Sequence, residues 1–235
     1  MHIGLIGGIG PAATVVYYQR LTDKLRQSGD KLELTIVQAD VYELIGNSLA
    51  DRQQEQAHIY ARLIDRLKAA GADCVAISSL GGHFCFDETV KIASLPLVSA
   101  LTPLDTYFQR KGQKRVGLLG TEIVMRTHLY GQLTQTQTVA PAGDLVALGQ
   151  VYQDVATSGI CTQDQREAFF RAGQEMIDVQ GADAIVLAGT DLNLAFDNHD
   201  PGYRVYDALD VHVEVLAGLA SDALTLDDLK PDTVL

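Results

Sequence analysis

Cysteine is scarce in this chain of 235 residues, and tryptophan is absent. The three cysteines, Cys74, Cys85 and Cys161, are odd in number, scattered, and form no CxxC pair. This pattern excludes a disulfide framework and a cysteine-based zinc site. The sequence therefore predicts no metal centre and a reducing compartment, the cytoplasm.

Basic residues are outnumbered, with 18 Lys and Arg against 30 Asp and Glu, which gives a formal charge of −12. No run of Lys or Arg is longer than two residues. An acidic surface of this kind repels nucleic acid and anionic membranes. We therefore expect a small-molecule ligand.

Long hydrophobic runs are also missing. The apolar N-terminal segment, residues 1–20, lacks a basic start, and Gly7, Gly8, Gly10 and Pro11 interrupt it. This pattern indicates a strand, a tight loop and a helix start rather than a signal peptide or a membrane span.

Short apolar runs alternate with longer amphipathic stretches along the chain. The apolar runs are residues 3–7, 32–40, 73–79, 96–100, 115–120 and 183–189, and the helical patterns are 12–28, 51–70, 101–111, 122–134, 164–180 and 205–222. Continuously apolar strands separated by helices are typical of parallel strands that are covered on both faces. The predicted class is α/β with doubly wound parallel sheets.

Two blocks of sequence occur twice. Residues 3–7 (IGLIG) resemble 116–120 (VGLLG), and residues 71–79 (GADCVAISS) resemble 181–189 (GADAIVLAG). We infer an internal duplication with two pseudo-symmetric lobes, the first made of residues 1–100 plus 206–235 and the second of 101–205. Ligands of open parallel sheets bind beyond the carboxyl ends of the strands, so we expect a site in a cleft between the lobes.

Several motifs, spread over nearly the whole chain, resemble those of one known family. They are Gly7-Gly8-Ile9-Gly10-Pro11, Val116-Gly-Leu-Leu-Gly-Thr121, Gly181-Ala-Asp183, Thr190-Asp191, and Asp207 followed by His212. In these motifs the chain is similar to the aspartate/glutamate racemase family. The resemblance implies a cofactor-independent isomerase in which two cysteines, one in each lobe, remove and return the Cα proton of an acidic amino acid. It also implies a homodimer.

The chain departs from this family where the two cysteines are expected. Ser79 and Gly189 occupy those positions, each eight residues after the Gly of a Gly-Ala-Asp motif. A serine hydroxyl is a much weaker acid than a thiol, and glycine has no acid–base group, so the two-thiol mechanism does not transfer. The candidate catalytic residues are Ser79, provided that His83 comes within hydrogen-bonding reach of its hydroxyl, His83 itself as a general acid or base, and Asp191. Helix capping is the alternative role of Ser79 and Asp191, and ordering of the loop is the alternative role of His83.

Residues at the ends of the predicted strands are candidates for substrate binding. They are Gly8, Gly10, Leu80, Gly81, Gly82, Thr121, Gly189 and Thr190. We expect exposed backbone N–H groups in these glycine-rich loops to bind a small carboxylate without metal or cofactor.

Three alternatives remain open from the sequence. Cys85 or Cys161 could supply a relocated thiol, whereas Cys74 lies within a strand and is interpreted as core. The protein could bind a small acid without catalysis. The segment from Gly8 to Ala13 also fits a GxGxxA dinucleotide fingerprint, with Asp40 as a candidate ribose ligand.

Two further features are interpreted as structural. Asp207 and His212 lie on a predicted amphipathic helix, where a supporting role is expected. The acidic tail, residues 224–235, is predicted to be solvated.

Overall fold

The structure of the protein is a computed structural model that describes residues 1–8 and 10–229. The chain divides into two compact units, one formed by Met1–Ala100 with the segment from His212 onward, the other by Leu101–Val211. The part of the predicted acidic tail beyond Leu229 lies outside the described residues.

The first unit contains a four-stranded sheet with the order β2-β1-β3-β4, in which all pairs are parallel. Its elements are β1 (His2–Gly7), α1 (Pro11–Ser28), β2 (Glu33–Gln38), α2 (Val41–Leu49), α3 (Gln53–Ala69), β3 (Cys74–Ile77), a 3-10 turn (Gly81–Cys85), α4 (Phe86–Ile92) and β4 (Leu97–Val98). In the register of the two central strands, Ile3 lies opposite Cys74 and Ile6 opposite Ile77.

The second unit contains a parallel sheet with the equivalent order, β6-β5-β7-β8. Its elements are α5 (Thr102–Arg110), β5 (Arg115–Leu119), α6 (Glu122–Arg126), a 3-10 turn (Leu129–Gly131), β6 (Gln137–Val139), α7 (Leu145–Ser158), α8 (Gln163–Asp178), β7 (Ala184–Leu187), a 3-10 turn (Thr190–Leu192), α9 (Asn193–Phe196) and β8 (Val205–Asp207). A final helix, α10 (Ala208–Ala220), and a 3-10 turn (Leu226–Leu229) follow.

The central strands account for the apolar runs of the sequence. Every residue of β3 and of β7 is buried, because helices cover both faces of each sheet. The predicted α/β class with parallel sheets is confirmed. Ser79 and Gly189 both come two residues after the last residue of their strand, Ile77 in β3 and Leu187 in β7.

From His212 onward, helix α10 belongs to the first unit. The Tyr17 hydroxyl of α1 lies 2.8 Å from His212 Nδ1, and Lys24 forms an ion pair with Glu214. The amino group of Met1 donates to the carbonyl of Ala220 at the C-terminal end of the helix, where the helix dipole favours a cation. His212 therefore has a packing role, as interpreted from the sequence.

The predicted helix 122–134 is wrong beyond Arg126. His128, Leu129 and Tyr130 have φ values of 52°, 56° and 56°, which lie in the left-handed region and end a right-handed helix. The Thr127 hydroxyl stabilises this turn, because it donates to the Ile123 carbonyl and accepts from the Tyr130 amide.

The predicted helix 205–222 begins three residues too early. Val205–Asp207 pairs with β7 as the edge strand β8, and the β-branched and aromatic residues Val205 and Tyr206 suit a strand. Asp207 Oδ1 then accepts from the Leu209 amide at the start of α10. Asp207 thus supports the helix start, in line with the structural interpretation.

Among residues 1–8 and 10–229, no helix is both long enough and apolar enough to cross a bilayer.

Candidate functional site at the carboxyl ends of the strands

The predicted site residues fall into two groups, one in each unit. Gly8, Gly10 and the segment 79–83 belong to the first unit, and Thr121 with the segment 189–191 belongs to the second. All of these residues are buried.

Ser78 fixes the glycine-rich loop of the first unit. Its Oγ accepts from the Gly8 amide at 3.1 Å and lies 3.0 Å from the Thr14 hydroxyl, which is in the first turn of α1. Ser78 is fully buried. The sequence analysis did not select Ser78, although it directly precedes Ser79 at the same strand end.

The loop after β3 turns sharply at Ser79. The Ser79 carbonyl accepts from the Gly82 amide, and Ser79 Oγ lies 3.3 Å from the same amide. A Cβ added to Gly8 would overlap the Cβ of Ser79, so glycine at position 8 allows the two segments to approach each other. The carbonyl and the hydroxyl of Ser79 thus both contribute to the turn that precedes the segment Gly81–Cys85.

His83 is held by backbone groups on both sides of its ring. Nδ1 lies 2.8 Å from the Ser79 carbonyl, and Nε2 accepts from the Ala100 amide at 3.1 Å. Burial lowers the pKa of His83 to about 4, and the Ser79 carbonyl only partly opposes this effect. The ring also stacks on Phe86, with an interplanar angle of 3°.

The His83 ring does not pair with the Ser79 hydroxyl, so the condition for a catalytic Ser79 is not met in this structure. Both ring nitrogens are engaged, which requires the neutral imidazole with its proton on Nδ1. A general acid or base needs a ring nitrogen that can reach the substrate. His83 connects the loop after β3 to the end of β4 and is a structural residue.

The cysteines do not provide a thiolate at neutral pH. Burial raises the pKa of Cys74 to about 11, with a contribution from the charge of Asp73, and burial raises the pKa of Cys85 to about 12. Burial also raises the pKa of Cys161, which lies between α7 and α8. These environments oppose the relocated-thiol alternative, because the thiolate is the reactive form.

In the second unit, the aromatic ring of Tyr152 fills the space beside Gly189. A Cβ added to Gly189 would overlap Cε2 of Tyr152 and lie 2.7 Å from its Cζ. Gly189 has φ −126° and ψ 116°, a backbone conformation open to any residue. The requirement for glycine here is steric, and it comes from a tyrosine of α7 that sequence analysis did not identify.

The Tyr152 hydroxyl belongs to a buried polar cluster. It donates to Asp191 Oδ2 at 3.2 Å, and Asp191 is only 1% exposed. Burial, followed by the negative charge of Asp191, raises the pKa of Tyr152 well above its usual value, so the phenol stays protonated. The Thr190 side chain also contacts this hydroxyl. Asp191 therefore has an oriented carboxylate.

Thr121 has a capping role in the second unit. Its Oγ1 accepts from the Val124 amide in the first turn of α6. The preceding residue, Gly120, lies close to β7, since a Cβ there would come within 2.8 Å of the Ala188 carbonyl oxygen.

Several groups expected to bind ligand are already used within the fold. The Gly8 amide donates to Ser78 and the Gly82 amide to Ser79, so the expectation of exposed donors at these two glycines is wrong. Asp40, the candidate ribose ligand, accepts from the Glu43 amide and caps α2. No cluster of His, Cys, Asp and Glu suited to a metal ion occurs among the described residues.

Solved structures resemble the chain over most of its length. An aspartate racemase homologue from Pyrococcus horikoshii OT3 is 25% identical, with a TM-score of 0.76 over 94% of this chain and 99% of that chain. The aspartate racemase of Picrophilus torridus is 21% identical, with a TM-score of 0.71 over 94% of each chain. The glutamate racemase of Aquifex pyrophilus is 15% identical, with a TM-score of 0.62 over 93% of this chain and 84% of that one.

Parallel sheets flanked by helices define a doubly wound α/β protein. The family model for Asp/Glu/hydantoin racemase matches residues 6–216. The chain belongs to the Asp/Glu/hydantoin racemase family.

Proposed function

We propose that this protein binds a small carboxylic acid at the carboxyl ends of its strands and that it does not use two-thiol proton transfer. Membership of a family of racemases of acidic amino acids and hydantoins supports a small acid as ligand. The main support for a mechanism without two thiols is the position of the Tyr152 ring. This ring fills the space that a side chain at position 189 would occupy.

Asp191 is the residue best suited to move a proton in such a site. Its carboxylate is buried and oriented by the Tyr152 hydroxyl. A carboxylate in a low-dielectric site can accept a proton from a substrate C–H, and the neutral phenol keeps it in one orientation. Asp191 by itself is a single acid–base group, whereas stereochemical inversion by proton transfer needs a group on each face of the carbon. The proposal is therefore an acid-binding protein whose chemistry, where it occurs, uses Asp191.

Dinucleotide binding is the rival that the sequence left open. The Asp40 carboxylate already caps α2, and the Gly8 amide already donates to Ser78. Both groups would have to exchange these partners to bind a ribose and a pyrophosphate. The free-energy cost of breaking these two hydrogen bonds favours a small acid over a dinucleotide as the ligand.

Glycine amides offer a direct test of the proposed site. Calorimetry with L- and D-aspartate, L- and D-glutamate, maleate and malonate should detect binding of at least one acid. In a ¹H–¹⁵N spectrum that acid should shift the amide signals of Gly81 and Gly189, whereas Gly112 and Gly159, which end helices far along the chain from these loops, serve as controls. Binding of NAD⁺ with no response to any of the six acids would contradict the proposal.

A further inference from the structure

Gln56 is a buried polar side chain in the first turn of α3. Helix α3 leads into the start of β3 and runs antiparallel to it, so its first turn lies at the carboxyl end of the first sheet. Gln56 is 1% exposed. A buried amide needs partners for its carbonyl oxygen and for its two N–H donors.

Asn47 satisfies one end of the Gln56 amide. Asn47 Nδ2 donates to Gln56 Oε1 at 2.9 Å, and Asn47, in α2, is itself buried. In this arrangement Gln56 Oε1 is the acceptor and Nε2 is the remaining donor. No acceptor among the described residues lies within hydrogen-bonding distance of Gln56 Nε2, which is buried from solvent.

The face of α3 that carries Gln56 packs against the loop after β3. Tyr60 lies one helical turn after Gln56 on the same face. Its hydroxyl would be 2.6 Å from a Cβ on Gly82, so this face contacts the turn that begins at Ser79. Gln56 thus lies at the edge of the sheet where parallel α/β proteins bind ligands.

We propose that Gln56 is a ligand-binding residue whose Nε2 donates a hydrogen bond to an oxygen of the bound acid. Natural proteins pair nearly all buried donors, and an unpaired one that a neighbouring side chain holds in place is suited to an acceptor from outside the chain. A neutral amide donor fits a carboxylate or another oxygen that can only accept. This inference rests on the proposed function and adds the residue that recognises the acid in the first unit.

The replacement Gln56→Met separates binding from folding. Methionine has a similar length and removes the unpaired Nε2 donor, but it also leaves the buried Asn47 Nδ2 without its acceptor, so the ligand-free variant should melt a few degrees below wild type. Its dissociation constant for any of the six acids that binds wild type should rise about tenfold, which is the effect of losing one hydrogen bond. The matched control Gln54→Met, at an exposed position of the same helix, should change neither quantity.

A second variant covers the case in which Gln56→Met does not fold. Gln56→Glu keeps an acceptor for Asn47 and places a carboxylate where the acid would bind, so affinity at pH 7 should fall at least tenfold. Equal affinity of wild type and either folded variant would overturn this inference alone. Failure of all six acids to bind wild type would overturn the proposed function and, with it, this inference.

Discussion

The loop after β3 and the loop after β7 occupy equivalent places in their sheets but are stabilised differently. In the loop after β3, His83 joins two backbone groups through an uncharged ring. In the loop after β7, a tyrosine hydroxyl donates to the carboxylate of Asp191. The first arrangement consumes both nitrogens of a possible acid–base residue, whereas the second orients one. Equivalent position in a sheet therefore does not imply equivalent chemistry.

Lowering the pH should destabilise the first unit more than the second. The two buried histidines, His83 and His212, belong to the first unit, whereas His128 and His199 of the second unit are exposed. Burial lowers the pKa of His212 to about 3, with a further contribution from nearby His83, and burial lowers that of His83 to about 4.

The direction of this effect follows from proton linkage. Each ring has a pKa below its unfolded value, so between pH 6.5 and pH 4 the unfolded chain binds protons that the folded chain does not, and stability falls as the pH falls. Between pH 7 and pH 5 the loss should be about 2 kcal/mol for each ring, or about 4 kcal/mol together. Denaturant unfolding at the two pH values measures it, and hydrogen exchange at pH 5 should show the loss of protection in the first unit.

Two histidine variants sharpen this prediction. His83→Gln should remove about half of the pH dependence, because one titrating ring is gone, whereas His58→Gln, at an exposed position of α3, should leave the dependence unchanged. Equal stability of wild type at pH 5 and pH 7 would show that the rings are not held neutral by burial.

Cysteine should be tolerated in one loop and not in the other. Gly189→Cys places a side chain into the Tyr152 ring and should destabilise the protein by about 3 kcal/mol through overpacking. Ser79→Cys changes one atom and should cost about 1 kcal/mol, the value of one weak hydrogen bond to Gly82. Urea unfolding of both variants provides the comparison, and a Gly189→Cys protein as stable as wild type would mean that Tyr152 moves aside freely.

Removal of the Tyr152 hydroxyl should cost more stability than removal of the Tyr17 hydroxyl, and this difference should be smaller than that between the two cysteine variants. Tyr152→Phe leaves the buried Asp191 carboxylate short of a donor and should cost about 2 kcal/mol. Tyr17→Phe breaks a bond between two uncharged groups, the phenol and His212, and should cost about 1 kcal/mol. The free energy of unfolding of each variant at pH 7 measures the two costs. Equal costs would indicate that Asp191 carries no charge in the folded protein.

The sequence predicted the central strands well, because their signal is local. The buried runs of β3 and β7 are continuously apolar, and each follows a Gly-Ala-Asp motif. Strand β6, Gln137–Val139, was missed because its residues are polar and form a strand only by pairing with β5. Helix α7 was missed as well, although Asp144 caps it.

The candidate site was predicted only in part, because some of its contacts join residues that are far apart in the sequence. The spacing from Gly-Ala-Asp places Ser79 and Gly189 at equivalent strand ends, as the structure has them. No pattern in the sequence connects Tyr152 to Gly189, since these residues are 37 positions apart and meet only through packing of α7. The same holds for the two backbone partners of His83, which changed its assignment from catalytic to structural.

Deuterium incorporation at Cα tests the thiol-free account most directly. Wild-type protein is incubated for hours in D₂O with each enantiomer of aspartate and glutamate, and the loss of the Cα proton signal is followed by NMR. The account predicts that the rate of incorporation is the same in wild type, Cys85→Ala and Cys161→Ala, because each cysteine thiol has a raised pKa and no cysteine stands at position 79 or 189. Rapid incorporation that disappears in Cys85→Ala or Cys161→Ala would contradict it.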